Sequence, residues 1–321
     1  MSKNRQHAAE FLDKALADGV NMREEEMHFS YNGVLYPTVV CNPDTFKALE
    51  SFEARKDDVI LVGYPKTGTN WLDHILSTLE STAAKYTEEE LKQQVAIGKE
   101  LAMAQRLEFG DPEIYERMKK FPYRRILITH LHPQALPTSI FKKKAKVLVL
   151  IRNPKDTAVS YFHFSNGMTC LPTSTWDQFF TKFMTGKVGW GSYFDHVAEW
   201  DKYINDENIM AISYEELKED LNLGLKKIAK FFDFFLTEEE IQNVAEKSSF
   251  KAMKEKSSET HGSAGDIFFR RGTIGDWRSL FSEAQNQEMD RRFEERLAGT
   301  KLGAKIKYDI YCKVRGDKQP S

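Results

Sequence analysis

A loop that combines lysine, threonine and glycine carries the clearest indication of chemistry in this sequence. Residues 63–69 contain two glycines, a proline and Lys66; they follow the apolar run 59–62 and precede apolar residues at helical spacing. This pattern predicts a buried strand, a tight loop and a helix, a P-loop-like unit. The loop N–H groups and the helix N-terminus would form an anion site, to which Lys66 adds a full charge. A phosphate-like occupant is expected, although an ordinary strand–helix turn can have the same pattern.

The residue order in this loop differs from that of nucleoside triphosphatases. In their motif the lysine follows the last glycine, whereas Lys66 precedes Gly68. The sequence therefore disfavours a P-loop kinase.

Three further apolar runs, 125–129, 146–151 and 209–213, follow along the chain, with helical patterns between and after them. Alternating strands and helices predict an α/β fold with a central parallel sheet that is flanked by helices on both faces. We find no internal repeat or convincing linker, so a single domain over residues 1–321 is expected, with 1–25 and 310–321 peripheral.

The carboxyl ends of these strands should meet at one crevice, because ligands of open parallel sheets bind there. The residues just past the predicted strands are the Lys66 loop, His130, Arg152 and Tyr214. We interpret this set as an anion site with a titratable group beside it. The alternative is that these four polar residues follow the strands by chance.

His130 is the candidate proton acceptor. Its ordinary pKa, about 6.5, suits proton abstraction from a hydroxyl group near neutral pH. His132 competes with it on spacing alone. The remaining histidines form no metal-ligand pattern, so no metal is expected.

Two arginine segments could bind a phosphate. Arg152 precedes a helix start at Asn153 and Pro154, and Arg152 and Ser160 could contact one phosphate; pairing of Arg152 with Asp156 is the alternative. Adjacent arginines, followed by Gly272, lie in a glycine-rich stretch that is either an anion-binding loop or a basic surface loop.

Composition excludes several classes of protein. The chain has 321 residues, is 41% hydrophobic and carries a net charge of −2. No bulk basicity indicates a nucleic-acid partner, and no apolar run is long enough for a signal peptide or a membrane span. Three scattered cysteines argue against a disulfide framework, and the reduced cytosol fits best.

Residues 82–122 form the least regular part of the sequence, with charged residues and glycines that interrupt any periodicity. Two interpretations are open. The segment is a solvated connector or a mobile lid over the crevice.

In combination, seven segments resemble the cytosolic sulfotransferases, in family order over most of the chain. They are YPKTGTNW (64–71), THLHPQALP (129–137), RNPKDTAVSYFHF (152–164), WDQFFTKFMTGKVGWGSYFDHVAEW (176–200), SYEELKEDL (213–221), SSFKAMKEK (248–256) and FFRRGTIGDWRSLFSEAQNQEMD (268–290). The closest likeness is to the family-6B branch, from FEARKDD (52–58) before the first strand of the sheet and from LFSEAQNQEMD (280–290) and AGTKLGAKIKY (298–308) near the end of the chain.

The resemblance implies 3′-phosphoadenosine 5′-phosphosulfate (PAPS) as sulfuryl donor, a hydroxyl acceptor and no metal. It assigns the 5′-phosphosulfate to Lys66, Thr67, Gly68, Thr69, Asn70 and Trp71, of which Trp71 also stacks on adenine. It assigns the 3′-phosphate to Arg152, Ser160, Arg270, Arg271 and Gly272. The adenosine pocket would be completed by Tyr214, Ser248, Ser249, Phe250, Lys251, Ala252 and Met253. His130 would be the general base, and Lys66 would stabilise the charge that develops on the bridging oxygen.

The acceptor is implied only by the resemblance to the 6B branch: a phenolic iodothyronine such as thyroxine, in an aromatic-lined pocket.

Three departures from the family bear on activity. Ile128 stands where much of the family has lysine, so a positive contact to the transferring group would be missing. Asn70 replaces a hydroxyl residue, and the family's dimer motif, which falls on residues 278–287, is altered, so a homodimer is in doubt. A nucleotide-binding protein with weak or no catalysis is therefore the alternative function.

Overall fold

Six β-strands organise the part of the chain that the structure, a computed structural model, describes: residues 3–90, 92–94 and 106–313. They are β1 His28–Tyr31, β2 Val34–Pro37, β3 Val59–Gly63, β4 Ile126–Thr129, β5 Lys146–Ile151 and β6 Ile209–Ser213. β1 and β2 pair as an antiparallel hairpin. The other four strands form one parallel sheet in the order β4-β3-β5-β6. The predicted α/β class is confirmed.

Helices surround this sheet. Those before β5 are α1 Lys3–Gly19, α2 Pro43–Leu49, α3 Thr69–Ala84, α4 Ile114–Lys119 and α5 Thr138–Lys142. Those around β6 are α6 Pro154–Gly167, α7 Trp176–Met184, α8 Tyr193–Asp201, α9 Tyr214–Glu219 and α10 Leu221–Phe231. The last are α11 Glu238–Lys247, α12 Phe250–Glu255, α13 Ser257–His261, α14 Gly265–Phe268, α15 Glu283–Arg296, α16 Lys301–Lys305 and α17 Tyr308–Tyr311.

The register of the sheet brings the carboxyl ends of its strands to one edge. Val62 of β3 pairs with Thr129 of β4, and Ile151 of β5 pairs with Ser213 of β6. The chain leaves β3 and β5 towards opposite edges of the sheet. A crevice opens at such a switch point, so the loops that follow β3 and β5 lie at the expected ligand site.

Alternate residues of the strands enter two separate cores. Ile60 and Val62 point to one core, which α7 and α8 cover, while Val59 and Leu61 point to the other, which α3 and α10 cover. Because both faces are covered, the strands are almost entirely apolar. The four strand predictions agree with the structure to within one residue at each end.

The irregular segment 82–122 is only partly covered by the described residues. Leu107, Glu108 and Phe109 are buried, and α4 buries Ile114 and Met118. This portion is therefore not a solvated connector, because its apolar side chains belong to the core. The possible lid includes residues 91 and 95–105, which lie outside the described residues.

The first helix belongs to a small third core. Leu12 packs with Met168, Cys170 and Leu171, next to the loop before α14. Asp13 accepts hydrogen bonds from the N–H and Oγ of Ser263, at 2.9 and 2.5 Å. The segment predicted to be peripheral thus contacts the stretch that leads to the paired arginines.

Among the described residues, none of the helices has the length and apolar character that crossing a membrane requires. In the same residues, no group of three or more His, Cys, Asp or Glu side chains is placed to hold a metal ion.

Candidate functional site

One cavity at the carboxyl edge of the sheet collects most of the side chains that the sequence singled out. The predicted residues on its wall are Lys66, Gly68, Thr69, Asn70, Trp71, His130, Arg152, Ser160, Tyr214, Phe250, Arg270, Arg271 and Gly272. The cavity therefore brings four cationic side chains, one histidine and three aromatic side chains to a single place.

The loop between β3 and α3 has the shape of an anion cradle. Lys66 and Gly68 both adopt left-handed backbone conformations, with φ of 70° and 109°. A β-carbon at Gly68 would lie 2.8 Å from the Tyr214 ring, so only glycine fits. Thr67 stabilises the turn, because its Oγ1 donates to the Tyr64 carbonyl at 2.7 Å. Thr67 itself is buried beneath the wall of the cavity.

Lys66 is a half-buried cation without an acidic partner among the described residues. Its Nζ lies 4.1 Å from the Phe164 ring centre and 5.1 Å from that of Phe268. Burial, together with the nearby charges of Arg152 and Arg270, lowers its pKa to about 7. An anion in the cavity would offset that repulsion and favour the charged amine.

Arg152 is held in place but keeps a free donor. Its Nη1 donates to the Lys66 carbonyl at 3.0 Å, Nη2 donates to the Thr273 carbonyl at 3.3 Å, and the guanidinium lies 4.4 Å from the Tyr214 ring centre. Nε is buried with no hydrogen-bond partner, which a ligand oxygen would satisfy. The alternative pairing with Asp156 is wrong, because that carboxylate accepts the N–H groups at positions 275 and 277 instead.

The paired arginines also lie at the cavity rather than on an open surface loop. Arg270 and Arg271 both donate to the carboxylate of Asp276. Gly272 has a φ of 63°, and a β-carbon there would lie 2.2 Å from the Phe250 ring. The loop therefore packs its backbone directly against Phe250, with the two guanidinium groups beside it.

The residues that the resemblance assigns to an adenosine pocket lie only partly on the cavity wall. Trp71 lies edge-on to Tyr214 at 5.4 Å, and its Nε1 donates to the Ser248 carbonyl at 2.6 Å. Of the predicted 248–253 segment, only Phe250 lines the cavity. Ser249 caps α12, Met253 enters the second core, Lys251 is exposed, and Ala252 is half-buried.

His130 follows β4 and is almost fully buried. Its Nδ1 lies 2.6 Å from the Gly63 carbonyl oxygen, which can only accept, so Nδ1 carries the proton. Burial lowers the pKa of His130 to about 4, opposed by the Gly63 hydrogen bond and helped by Arg106 and Lys66. The ring is therefore neutral at pH 7, with its second nitrogen, Nε2, as a proton acceptor.

Glu108 fixes the backbone beside this histidine. Its Oε1 accepts the His130 N–H at 2.8 Å and the Trp190 indole N–H at 3.2 Å. Burial raises the pKa of Glu108, against the opposing effect of these hydrogen bonds.

His132, the competing histidine, is half-buried, does not line the cavity and lies against His196, with ring centres 5.4 Å apart.

Sequence reasoning missed Arg106, Glu108 and the apolar wall of the cavity. That wall comprises Leu12, Pro37, Val39, Val40, Phe109, Phe164, Met168, Leu171, Trp190 and Ile267. The alternation of polar and apolar residues from Arg106 to Phe109 is a strand-like signal that could have identified the first two. Ile128, by contrast, is buried in the sheet and makes no polar contact with its side chain.

Comparison with known proteins explains this arrangement. The model of the sulfotransferase domain family matches residues 56–301, which contain both arginine segments, the Lys66 loop and His130. The chain belongs to the sulfotransferase family. It is 50% identical to chimpanzee sulfotransferase 6B1, over 94% of this chain and 97% of the relative, and 49% identical to human sulfotransferase 6B1 over the same shares.

A solved sulfotransferase structure shows the same fold. The crystal structure of mouse sulfotransferase SULT7A1, complexed with PAP, superposes with a TM-score of 0.75 at 33% sequence identity. The match covers 88% of this chain and 98% of the mouse protein. The family membership predicted from the seven sequence segments is confirmed.

Proposed function

We propose that this sulfotransferase moves the sulfuryl group of PAPS to the hydroxyl group of a small phenolic acceptor, with His130 as the general base. The observation that carries the proposal is the composition of the cavity wall. Five cations, Lys66, Arg106, Arg152, Arg270 and Arg271, share it with a neutral histidine and with many apolar and aromatic side chains.

The cationic side chains suit a nucleotide that has phosphate groups at both ends of its ribose. Lys66 lacks an acidic partner among the described residues, and Arg152 has a buried Nε without a partner. The mouse relative at 33% identity is described as complexed with PAP, the nucleotide that remains after sulfuryl transfer. PAPS, when bound, supplies an activated sulfuryl group.

The residues that would hold this donor follow from their places on the wall. The Lys66–Trp71 loop would bind the 5′-phosphosulfate, and Arg152, Ser160 and the 270–272 segment would bind the 3′-phosphate. The rings of Trp71, Tyr214 and Phe250 would enclose adenine. Lys66, charged in the presence of the anion, would stabilise the negative charge that develops on the bridging oxygen.

His130 would orient the acceptor and remove its proton. Because Nδ1–H donates to the Gly63 carbonyl, Nε2 is the nitrogen that can accept a hydroxyl proton. Such general-base assistance contributes about 10²–10⁴-fold in rate. A low pKa keeps the base free of protons at neutral pH but makes it a weak base, which suits an acidic hydroxyl such as a phenol better than an aliphatic alcohol.

The apolar side chains would bind the body of the acceptor. Phe109, Phe164 and Trp190 line the cavity, and their rings would pack against an aromatic compound. We propose iodothyronines such as thyroxine as the first compounds to test, and cytosol as the location. A nucleotide-binding protein with weak catalysis is the alternative; it is motivated by the uncharged Ile128 in the sheet beside the base.

The test is transfer of labelled sulfuryl from PAPS to a panel of phenols, steroids and iodothyronines. We expect His130→Ala to lower kcat about 10²-fold or more while PAP affinity stays within about twofold. His132→Ala is the matched control, because that histidine does not line the cavity and should retain activity. No transfer to any acceptor by the unmodified protein, with PAP binding intact, would favour the binding-only alternative.

A further inference from the structure

Arg106 is a cation of the cavity wall that neither the resemblance nor the sequence patterns assigned to the site. It precedes the buried Leu107, whose N–H donates to the Ile128 carbonyl at 2.8 Å. Arg106 and Ile128 form an isolated parallel bridge, so this segment runs alongside β4. Two residues further on, Glu108 accepts the backbone N–H of His130. The backbone at Arg106 is thus tied to the strand that carries the base.

The side chain of Arg106 reaches the other half of the site. Its Nη2 donates to Oδ1 of Asn70, the second residue of α3, and its guanidinium lies 5.7 Å from the Phe109 ring centre. Among the described residues it forms no ion pair, although five donor N–H bonds are available on a guanidinium. Arg106 therefore joins the start of the helix after the Lys66 loop to the end of the strand before His130.

A group in transfer between the Lys66 loop and His130 would pass close to Arg106, because Arg106 bonds to Asn70 at the start of α3 and lies near enough to His130 for its charge to lower the pKa of that ring. The oxygens of that group carry negative charge, and Arg106 would face them as a cation whose backbone is tied to β4, whereas Arg152 follows β5 and Arg270 and Arg271 follow α14 in the chain. A guanidinium provides two parallel donors to such oxygens.

We propose that Arg106 contacts the sulfonate oxygens of the transferring sulfuryl group and is a further catalytic residue. This role rests on the proposed function. In the step, the bond between sulfur and the bridging phosphate oxygen breaks and its electron pair stays on that oxygen. A bond forms from the acceptor oxygen to sulfur, and the hydroxyl proton goes to Nε2 of His130. Arg106 gains and loses no proton; it stabilises the three outer oxygens throughout.

The test compares Arg106→Gln and Arg106→Lys with the unmodified protein. We expect Arg106→Gln to lower kcat about 10²-fold, the effect of losing one preorganised donor to a developing anion, with little change in the acceptor KM. Arg106→Lys should recover part of this loss because it restores the charge without the fork. Arg117→Gln is the matched control: it lies in α4, pairs with Asp111 at 3.0 Å, and should leave kcat unchanged.

Binding provides a readout that does not require turnover. Calorimetric titration without acceptor should show that Arg106→Gln weakens PAPS about tenfold, the effect of one lost hydrogen bond to a charged group, while PAP affinity stays within about twofold. Equal losses for PAPS and PAP would overturn the proposal, because Arg106 would then act on the Lys66 loop through Asn70. A change confined to the acceptor KM would also overturn it and make Arg106 an acceptor contact.

Failure of the proposed function would look different. An unmodified protein that neither binds PAPS nor transfers sulfuryl would overturn both proposals. An unmodified protein that transfers sulfuryl, together with Arg106→Gln of unchanged kcat and PAPS affinity, would overturn the Arg106 role alone.

Discussion

If Lys66 binds the donor, as proposed, donor affinity should depend on pH between 7 and 9, a range in which a lysine of ordinary pKa does not titrate. Burial and the neighbouring Arg152 and Arg270 lower its pKa to about 7. The free protein therefore loses this positive charge as the pH rises through 7. A bound anion favours the charged amine, so binding above pH 7 must take up a proton.

The size of the effect follows from the fraction of Lys66 that is charged. With a pKa of about 7, that fraction falls from about one half at pH 7 to about 1% at pH 9, a roughly 50-fold decrease that corresponds to about 2.3 kcal/mol. PAP affinity should decrease by up to this factor. A lysine with its ordinary pKa near 10.4 would stay more than about 90% charged over the same range. His130, with a pKa of about 4, does not titrate there.

Isothermal titration of PAP at pH 7, 8 and 9, in buffers of different ionisation enthalpy, measures both the affinity and the protons taken up. Lys66→Arg is the control, since arginine stays charged and should remove most of the pH dependence. A PAP affinity that changes less than about threefold in the unmodified protein, with no proton uptake, would refute the argument that the neighbouring arginines and burial depress this pKa.

Three further changes test other parts of the structure. Gly68→Ala should lower the free energy of unfolding by more than about 1 kcal/mol and weaken PAP binding, because its φ of 109° and the clash with the facing tyrosine ring exclude a β-carbon. Urea unfolding measures the first effect and PAP titration the second. Lys155→Ala should lower the free energy of unfolding, measured in urea, by about 3 kcal/mol, because it removes the buried ion-pair partner of Asp290 at 2.6 Å. The control is Lys182→Ala, in an exposed ion pair at 3.8 Å, which should change this free energy by less than about 0.5 kcal/mol. Leu12→Ala should raise the acceptor KM and leave PAP affinity within about twofold, because Leu12, from the first helix, is one of the apolar residues that line the cavity. Steady-state kinetics with the best acceptor measure the KM. PAP titration shows whether the variant has instead lost its fold.

The sheet was predictable because its strands are buried on both faces and read as short apolar runs. The residue after each run then identified His130, Arg152 and Tyr214, since parallel strands place their carboxyl ends together. Local signals were enough for these residues. Each of them is adjacent in sequence to an element with a strong pattern, and the element carries it to the edge of the sheet.

The acceptor side of the cavity could not be found in this way. Leu12 comes from the first helix, Val39 from the connection after the hairpin, Trp190 from the loop before α8, and Ile267 from α14. Trp190 itself has a left-handed backbone conformation, with a φ of 61°. No local pattern links these residues, because tertiary packing alone brings them together. The 248–253 segment shows a different limit of sequence reasoning. Likeness to the family implied six binding residues there, but only Phe250 lines the cavity.

Position 128 shows how the two kinds of inference combine. From sequence alone, Ile128 indicates that a positive charge is missing two residues before His130, the proposed base. The structure places Arg106 beside Ile128 through a backbone bridge, with its guanidinium bonded to Asn70. A cation can therefore occupy the space between the Lys66 loop and His130 although the strand itself carries none. If Arg106 has the proposed role, it supplies the charge that Ile128 does not, so Ile128 by itself no longer favours a nucleotide-binding protein without catalysis.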